Sequence, residues 1–331
     1  NYSMIINPQE LQKWLDEGKS FRVVDIRPGE QRELDPIVTL DATNITEEDL
    51  DFNTMEGDPV VLVCQYGLNT ERIIREKGAE NILNLLGGVQ AWNEFKTSKD
   101  DLSRYARQMV LPQVGVKGQK ALAAAQVTIV GMGGLGCPVS QYLAAAGVGT
   151  LRLIDGDVVE LSNMPRQPLY RSDDVGKPKV EAAAEQLSSL NPGITVEMKK
   201  VFLSADNRDD LLGDADIIVD ATDSLAVRRI LDEYSAENSI PLVYGGLYRF
   251  EGQVSVFNHH GGPRYADLFP EHSITGDTCA DTGVLGMLPG IIGNIQALET
   301  VKIILGVEPN LSGKLLLYDG LSHETNIIDL N

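Results

Sequence analysis

Short continuous apolar runs, rather than alternating ones, mark the strands of this chain. Val60–Val63, Val127–Val130, Leu151–Ile154 and Ile217–Asp220 are rich in β-branched residues. Runs of this kind suit strands covered on both faces, the usual state of a parallel sheet. Helix-like segments follow two of them, at Glu71–Lys77 and Tyr142–Ala146. Strand, glycine turn, helix, strand and acid come in that order between Val127 and Asp155. The pattern predicts an α/β protein built on βαβ units.

The turn after Val130 carries Gly131, Gly133, Gly134 and Gly136. Glycines there let the backbone turn tightly and approach a phosphate, and the helix start offers free N–H groups to the anion. Asp155 follows about twenty residues later, where a ribose-hydroxyl acceptor belongs. The turn by itself leaves NAD and ATP both open, and with NAD an oxidoreductase.

The residues beyond Asp155 shift the balance to ATP. Asp157, Asn163, Arg166, Gln167, Lys179 and Asp223 all fall at predicted strand ends or in loops. Ligands of open parallel sheets bind outside the carboxyl ends of the strands. Arg as a planar fork and Lys as a point charge suit a triphosphate. A nearby carboxylate suits Mg²⁺, which is commonly held by one or two acids and phosphate oxygens. A nicotinamide site needs no such set, and no His or Tyr marks a hydride site.

Eight motifs in order give these residues a family context. They are Arg104-Tyr-Ala-Arg107-Gln, Gly131-x-Gly-Gly-x-Gly136, Asp155-x-Asp157, Ser162-Asn163-x-x-Arg166-Gln167, Gly176-Lys-Pro-Lys179, Asp220-x-Thr-Asp223, Phe250-Glu-Gly-Gln-Val-Ser and Cys279-x-x-x-Gly-Val-Leu-Gly286. From Arg104 onward the chain resembles the MoeB/ThiF enzymes, relatives of ubiquitin-activating enzymes. The resemblance implies a Rossmann-like, doubly wound domain. It implies ATP- and Mg²⁺-dependent adenylation of the C-terminal Gly-Gly carboxylate of a ubiquitin-fold sulfur carrier. It places Asp155 on the ribose, Asn163, Arg166 and Lys179 on the phosphates, and Asp223 on Mg²⁺. The neighbouring Gly131–Gly136, Asp157 and Gln167 complete the nucleotide site. It also implies a homodimer in which Arg107 reaches the partner's nucleotide. Arg104 lies three residues from Arg107, on the same face of a helix.

Three cysteines are present, Cys64, Cys137 and Cys279. An odd count without regular spacing argues against a disulfide framework, and no signal peptide is evident, so a reducing cytoplasm is expected. Cys137 closes the glycine turn, where packing demands a small residue. Cys279 lies in a polar stretch and matches the cysteine that some family members join covalently to the activated carrier. Many relatives also bind zinc with two Cys-x-x-Cys pairs. Here the first place reads Arg264-Tyr-Ala-Asp267 and the chain ends Glu324–Asn331 without cysteine, so no zinc is expected.

The first hundred residues read as a separate unit. Cys64-Gln-Tyr-Gly67-Leu-Asn-Thr70 leads from a strand into a helix, where backbone N–H groups stabilise a thiolate or persulfide. With Phe21-Arg-Val-Val-Asp25-Ile-Arg27 and Gly87-Gly-Val-Gln-Ala-Trp92, the segment resembles a rhodanese domain. It departs from that pattern over Leu34–Asp51, and its loop lacks an arginine. The expected organisation is a rhodanese-like domain over 1–97, a polar linker over 98–103 and an adenylation domain over 104–331.

The two resemblances together imply a fused adenylyltransferase and sulfurtransferase. A donor such as a cysteine desulfurase would load Cys64 with sulfur, and the carrier would leave as a thiocarboxylate. Adenylation alone with a docking first domain, and ubiquitin-like conjugation through Cys279, are the alternatives. A net charge of −20 argues against nucleic-acid partners. No apolar run is expected to be long enough for a membrane span.

Overall fold

The computed structural model describes residues 5–77, 81–97, 102–270 and 283–330. Its contacts divide the chain into two compact units, Asn1–Lys120 and Ala121–Asn331. The division falls inside the helix Gly115–Ala124.

The first unit holds five parallel strands, β1 (Ile5–Ile6), β2 (Arg22–Asp25), β3 (Thr43–Asn44), β4 (Val60–Val63) and β5 (Ile82–Leu85), in the order β1-β5-β4-β2-β3. β4 is central, and its four residues are fully buried. Its residues alternate between two cores. Val60 and Leu62 pack with Ile73, Ile74 and Met55, while Val61 and Val63 pack with Leu11, Val89 and Trp92. Each such side chain contributes roughly 1.5–3 kcal/mol through burial. That explains why the run is apolar at every position.

The second unit is an eight-stranded sheet. Its members are β6 (Gln126–Val130), β7 (Thr150–Ile154), β8 (Thr195–Lys199), β9 (Ile217–Asp220), β10 (Leu242–Tyr248), β11 (Glu251–Phe257), β12 (Lys314–Asp319) and β13 (Thr325–Asp329). They run in the order β8-β7-β6-β9-β10-β11-β12-β13. The pairs from β8 to β10 are parallel and those from β10 to β13 antiparallel. Two cores lie on opposite faces. One gathers the helices Gly136–Ala146, Lys179–Leu190 and Met287–Leu305, the other Arg208–Leu212 and Leu225–Asn238. This is a Rossmann-like doubly wound sheet extended by an antiparallel edge. Strand order reverses between β6 and β9, the switch point at which such sheets bind ligands.

One expectation is corrected. The helix Met287–Leu305 is 19 residues long and apolar enough, by length and composition, to cross a membrane. Gly290, Gly293, Asn294, Gln296 and Glu299 interrupt the run and hid its length. Its packing accounts for the composition without a bilayer. Leu288, Ile292 and Ala297 join the sheet core. Gln296 Nε2 donates to the carbonyls of Asp220 and Val243 at 2.8 and 3.2 Å, and Glu299 accepts from Leu311 N at 2.7 Å.

Candidate functional site

The glycine turn leaves β6 at Gly131, whose φ of +94° only glycine adopts readily. A Cβ there would also come within 2.6 Å of the Ala221 carbonyl, so the turn rests directly on the loop after β9. Asp155, just past β7, braces the other side. Its two carboxylate oxygens accept from Met132 N and Asp157 N, each at 2.7 Å. A carboxylate has about four acceptor positions, so capacity remains for a ribose hydroxyl.

The polar residues of the next loop gather on this turn. Lys179 opens the helix Lys179–Leu190 and places Nζ 3.0 Å from Asp157 Oδ2. The lysine is buried but the Asp157 side chain is 54% exposed, so solvent screens the acid and not the ammonium. Asn163 is buried, and its Oδ1 accepts from Glu160 N at 3.2 Å. Its carbonyl accepts from Arg166 N and Gln167 N, both at 3.0 Å. Arg166 is half-buried and donates to the Ser162 carbonyl at 2.9 Å. Gln167 lies beneath Gly133, and its buried Oε1 has no hydrogen-bond partner among the described residues.

The loop after β9 completes this rim. Asp220 is fully buried, and its Oδ1 accepts from Thr222 N and Thr222 Oγ1, both at 3.0 Å. Asp223 follows, exposed. Among the described residues no group of three His, Cys, Asp or Glu forms a metal cage. Mg²⁺ held by one carboxylate and the phosphates needs none, so Asp223 fits that role. Asp155, Asp157, Arg166, Lys179 and Asp223 are thus joined through the loops around one turn.

Cys137 is fully buried beneath the turn, with Sγ 3.8 Å from the Met132 carbonyl. Burial pushes its thiol up to about 12, against weaker downward pulls from Tyr170 and Leu169. Desolvation outweighs the helix start, and the thiol is a packing group.

In the first unit Cys64 directly follows β4, and its sulfur accepts from Gly67 N at 3.2 Å. Gly67 has φ +78°. Thr70 Oγ1 lies 3.4 Å from the sulfur and 2.5 Å from Asn84 Oδ1, while Asn84 Nδ2 donates to the Gly67 carbonyl at 2.9 Å. The Cys64 carbonyl accepts from Val89 N at 2.9 Å. A Cβ on Gly88 would fall on that same carbonyl, and one on Gly87 would meet the Ala91 side chain, so both positions need glycine. Arg27 and Asp25 form a buried pair alongside, with Nε–Oδ1 3.0 Å and Nη2–Oδ2 2.9 Å. Arg27 Nη1 reaches Gln65 Oε1 at 2.8 Å. The loop is therefore a cradle that sets one backbone donor on the buried Cys64 sulfur.

The model of the ThiF family matches residues 105–331. The chain belongs to the ThiF family. It is 46% identical over 234 residues to the sulfur carrier protein adenylyltransferase of Thermus thermophilus, covering 69% of this chain and 86% of that protein. It is 42% identical over 280 residues to the adenylyltransferase and sulfurtransferase MOCS3 of Culex quinquefasciatus, covering 83% of this chain and 63% of that one. Against the MOCS3 of Mus musculus it is 45% identical, over 68% of this chain and 49% of the mouse protein. The chain thus spans about half to two thirds of these MOCS3 relatives. Among solved structures it resembles PaaA, with TM-score 0.61 and 26% identity over 79% of this chain and 81% of PaaA. The fold also matches Escherichia coli MccB with ATP, with TM-score 0.62 and 23% identity over 69% of this chain and 72% of MccB.

Other residues of the expected site fall outside the second unit's described loops. Arg107 is exposed on the short helix Ala106–Met109, and Arg104 sits in the single turn Ser103–Tyr105 rather than on a shared helical face. Both belong to the first compact unit. Cys279 lies outside the described residues. Arg264–Asp267 does not fit a zinc site. Arg264 and Asp267 cap each other, and buried Asp232 accepts from Tyr265 N at 2.9 Å and Arg264 Nη2 at 3.1 Å.

Two neighbours of the turn escaped the sequence reading. Phe202 lies beyond β8, 63% exposed, with ring atoms 2.6 Å from where a Gly156 Cβ would be. Arg228, on the helix Leu225–Asn238, reaches Asp220 Oδ2 with Nε at 3.0 Å. Eight positions separate that arginine from its acid, so only the folded chain pairs them.

Proposed function

We propose that this chain is an ATP- and Mg²⁺-dependent adenylyltransferase for a ubiquitin-fold sulfur carrier and passes sulfur to it from Cys64. The observation carrying the first half is the gathering of Asp155, Arg166, Lys179 and Asp223 around the Gly131 turn. The similarity to a sulfur carrier protein adenylyltransferase supports the choice of substrate. The carrier's C-terminal carboxylate attacks the α-phosphorus, pyrophosphate leaves, and the carboxyl carbon becomes an acyl-adenylate. Arg166 and Lys179 would stabilise the added negative charge, and Asp223 would hold Mg²⁺, which would supply further positive charge to the triphosphate. In this reading Arg107 reaches the nucleotide of a second copy.

The second half rests on the Cys64 cradle and on the double name of the MOCS3 relatives. A persulfide on Cys64 attacks the acyl carbon and AMP departs, leaving an acyl disulfide. A thiol, for which Cys279 is the candidate, then splits that disulfide and frees the thiocarboxylate. The resulting protein disulfide is reset by a reducing thiol.

The test is the intact mass of a Gly-Gly-ended carrier incubated with the protein, ATP, Mg²⁺ and a sulfane-sulfur donor. Replacement of oxygen by sulfur that disappears in Cys64→Ser supports both halves. Pyrophosphate release without that mass change leaves adenylation and removes the sulfur step. Lysine-linked carrier adducts would point instead to conjugation.

A further inference from the structure

We infer that Arg228 is a positioning residue that aims the Asp223 carboxylate at the nucleotide's metal, an inference resting on the ATP and Mg²⁺ reading above. The guanidinium joins three elements. Its Nε pairs with Asp220 Oδ2 at the end of β9, at 3.0 Å. Its Nη2 donates to the Thr222 carbonyl at 2.7 Å and to the Gly245 carbonyl of β10 at 2.9 Å. The plane also lies 4.8 Å from the centroid of the Tyr244 ring.

Asp220 holds the same loop from the other side through both donors of Thr222. Gln296 ties down the Asp220 carbonyl at 2.8 Å. The peptide preceding Asp223 is therefore gripped at the Thr222 amide, hydroxyl and carbonyl. On the far side the Ala221 carbonyl abuts Gly131. Among the described residues no hydrogen bond or ion pair engages the exposed Asp223 carboxylate itself, so the grip on Thr222 fixes where that side chain leaves the backbone.

A lysine in place of Arg228 could keep the charge pair with Asp220. It is a point charge and lacks the planar fork that reaches Asp220 and two carbonyls together. Losing partners that orient a metal ligand typically costs about 10–100-fold in metal affinity.

The experiment titrates Mg²⁺ into the full-length protein with ATP, following nucleotide binding by calorimetry, in the wild type, Arg228→Lys and Asp223→Asn. Thermal melting is recorded for each. The expected result for Arg228→Lys is a half-saturating Mg²⁺ concentration raised about tenfold, with Mg²⁺-free ATP affinity unchanged. Asp223→Asn should shift the Mg²⁺ dependence as much or more. A purely structural role for Arg228 would lower the melting temperature and leave the Mg²⁺ midpoint in place. If Asp223→Asn shifts the midpoint and folded Arg228→Lys does not, the positioning role is overturned while the metal reading stands. If neither shifts it, Asp223 is not the metal ligand and both fail. Should Arg228→Lys not fold, Thr222→Ala, which removes the hydroxyl arm of the same grip, must shift the midpoint in the same direction or the proposal falls.

Discussion

Replacing Arg27 by Met should unfold the first unit far more easily while leaving its apolar cores untouched. Arg27 and Asp25 have side chains only 1% and 2% exposed. The guanidinium contacts both Asp25 oxygens, and Asp25 Oδ1 also accepts from Arg27 N at 3.0 Å. Methionine fills much of the arginine's volume but leaves the carboxylate buried without its counter-ion. Breaking a buried pair from one side costs about 3–5 kcal/mol. A unit of this size has a urea slope of roughly 1–1.5 kcal/mol per M, so the midpoint should fall by about 2–5 M. Asp25→Asn combined with Arg27→Met removes both charges and should recover more than half of that loss. The protein itself supplies the probe. Its two tryptophans, Trp14 and Trp92, both lie in the first unit, so tryptophan fluorescence of the full chain reports that unit alone. A loss below about 1 kcal/mol for Arg27→Met, or no recovery in the double variant, would refute the claim that the pair is desolvated.

Other consequences concern the second unit. Phe202→Ala should weaken ATP binding about tenfold, the usual scale for losing an aromatic face under a base, and leave tripolyphosphate binding unchanged. Calorimetry with the two ligands decides it, and equal losses for both would place the ring away from the base. Cys137 should resist iodoacetamide at pH 8 in the folded protein and react on denaturation, as read by peptide mass. Burial holds its folded pKa near 12 against an ordinary 9.0. The folded state therefore keeps a proton that the unfolded state loses above about pH 9, and stability should fall with rising pH from there to about 12. Rapid native labelling would show that the thiol is not buried as described.

Local pattern alone determined a good deal here. The apolar runs at Val60–Val63 and Ile217–Val219 named central strands because a strand covered on both faces is apolar along almost its whole length. The spacing from Gly131 to Asp155 named a nucleotide turn because chain geometry fixes how far one strand end lies from the next. The eight ordered motifs named the family. Tertiary structure decided what depends on residues meeting from afar. Cys137 stands at a helix start, yet burial in the folded core overrides that position and silences the thiol. Arg228 and Phe202 have no motif of their own. They meet Asp220 and Gly156 only because the folded sheet brings β9 against β10 and the segment after β8 beside Gly156. The helix Met287–Leu305 shows the same limit. Its composition could suit a membrane or a core, and only its polar ties to Asp220, Val243 and Leu311 place it on the sheet.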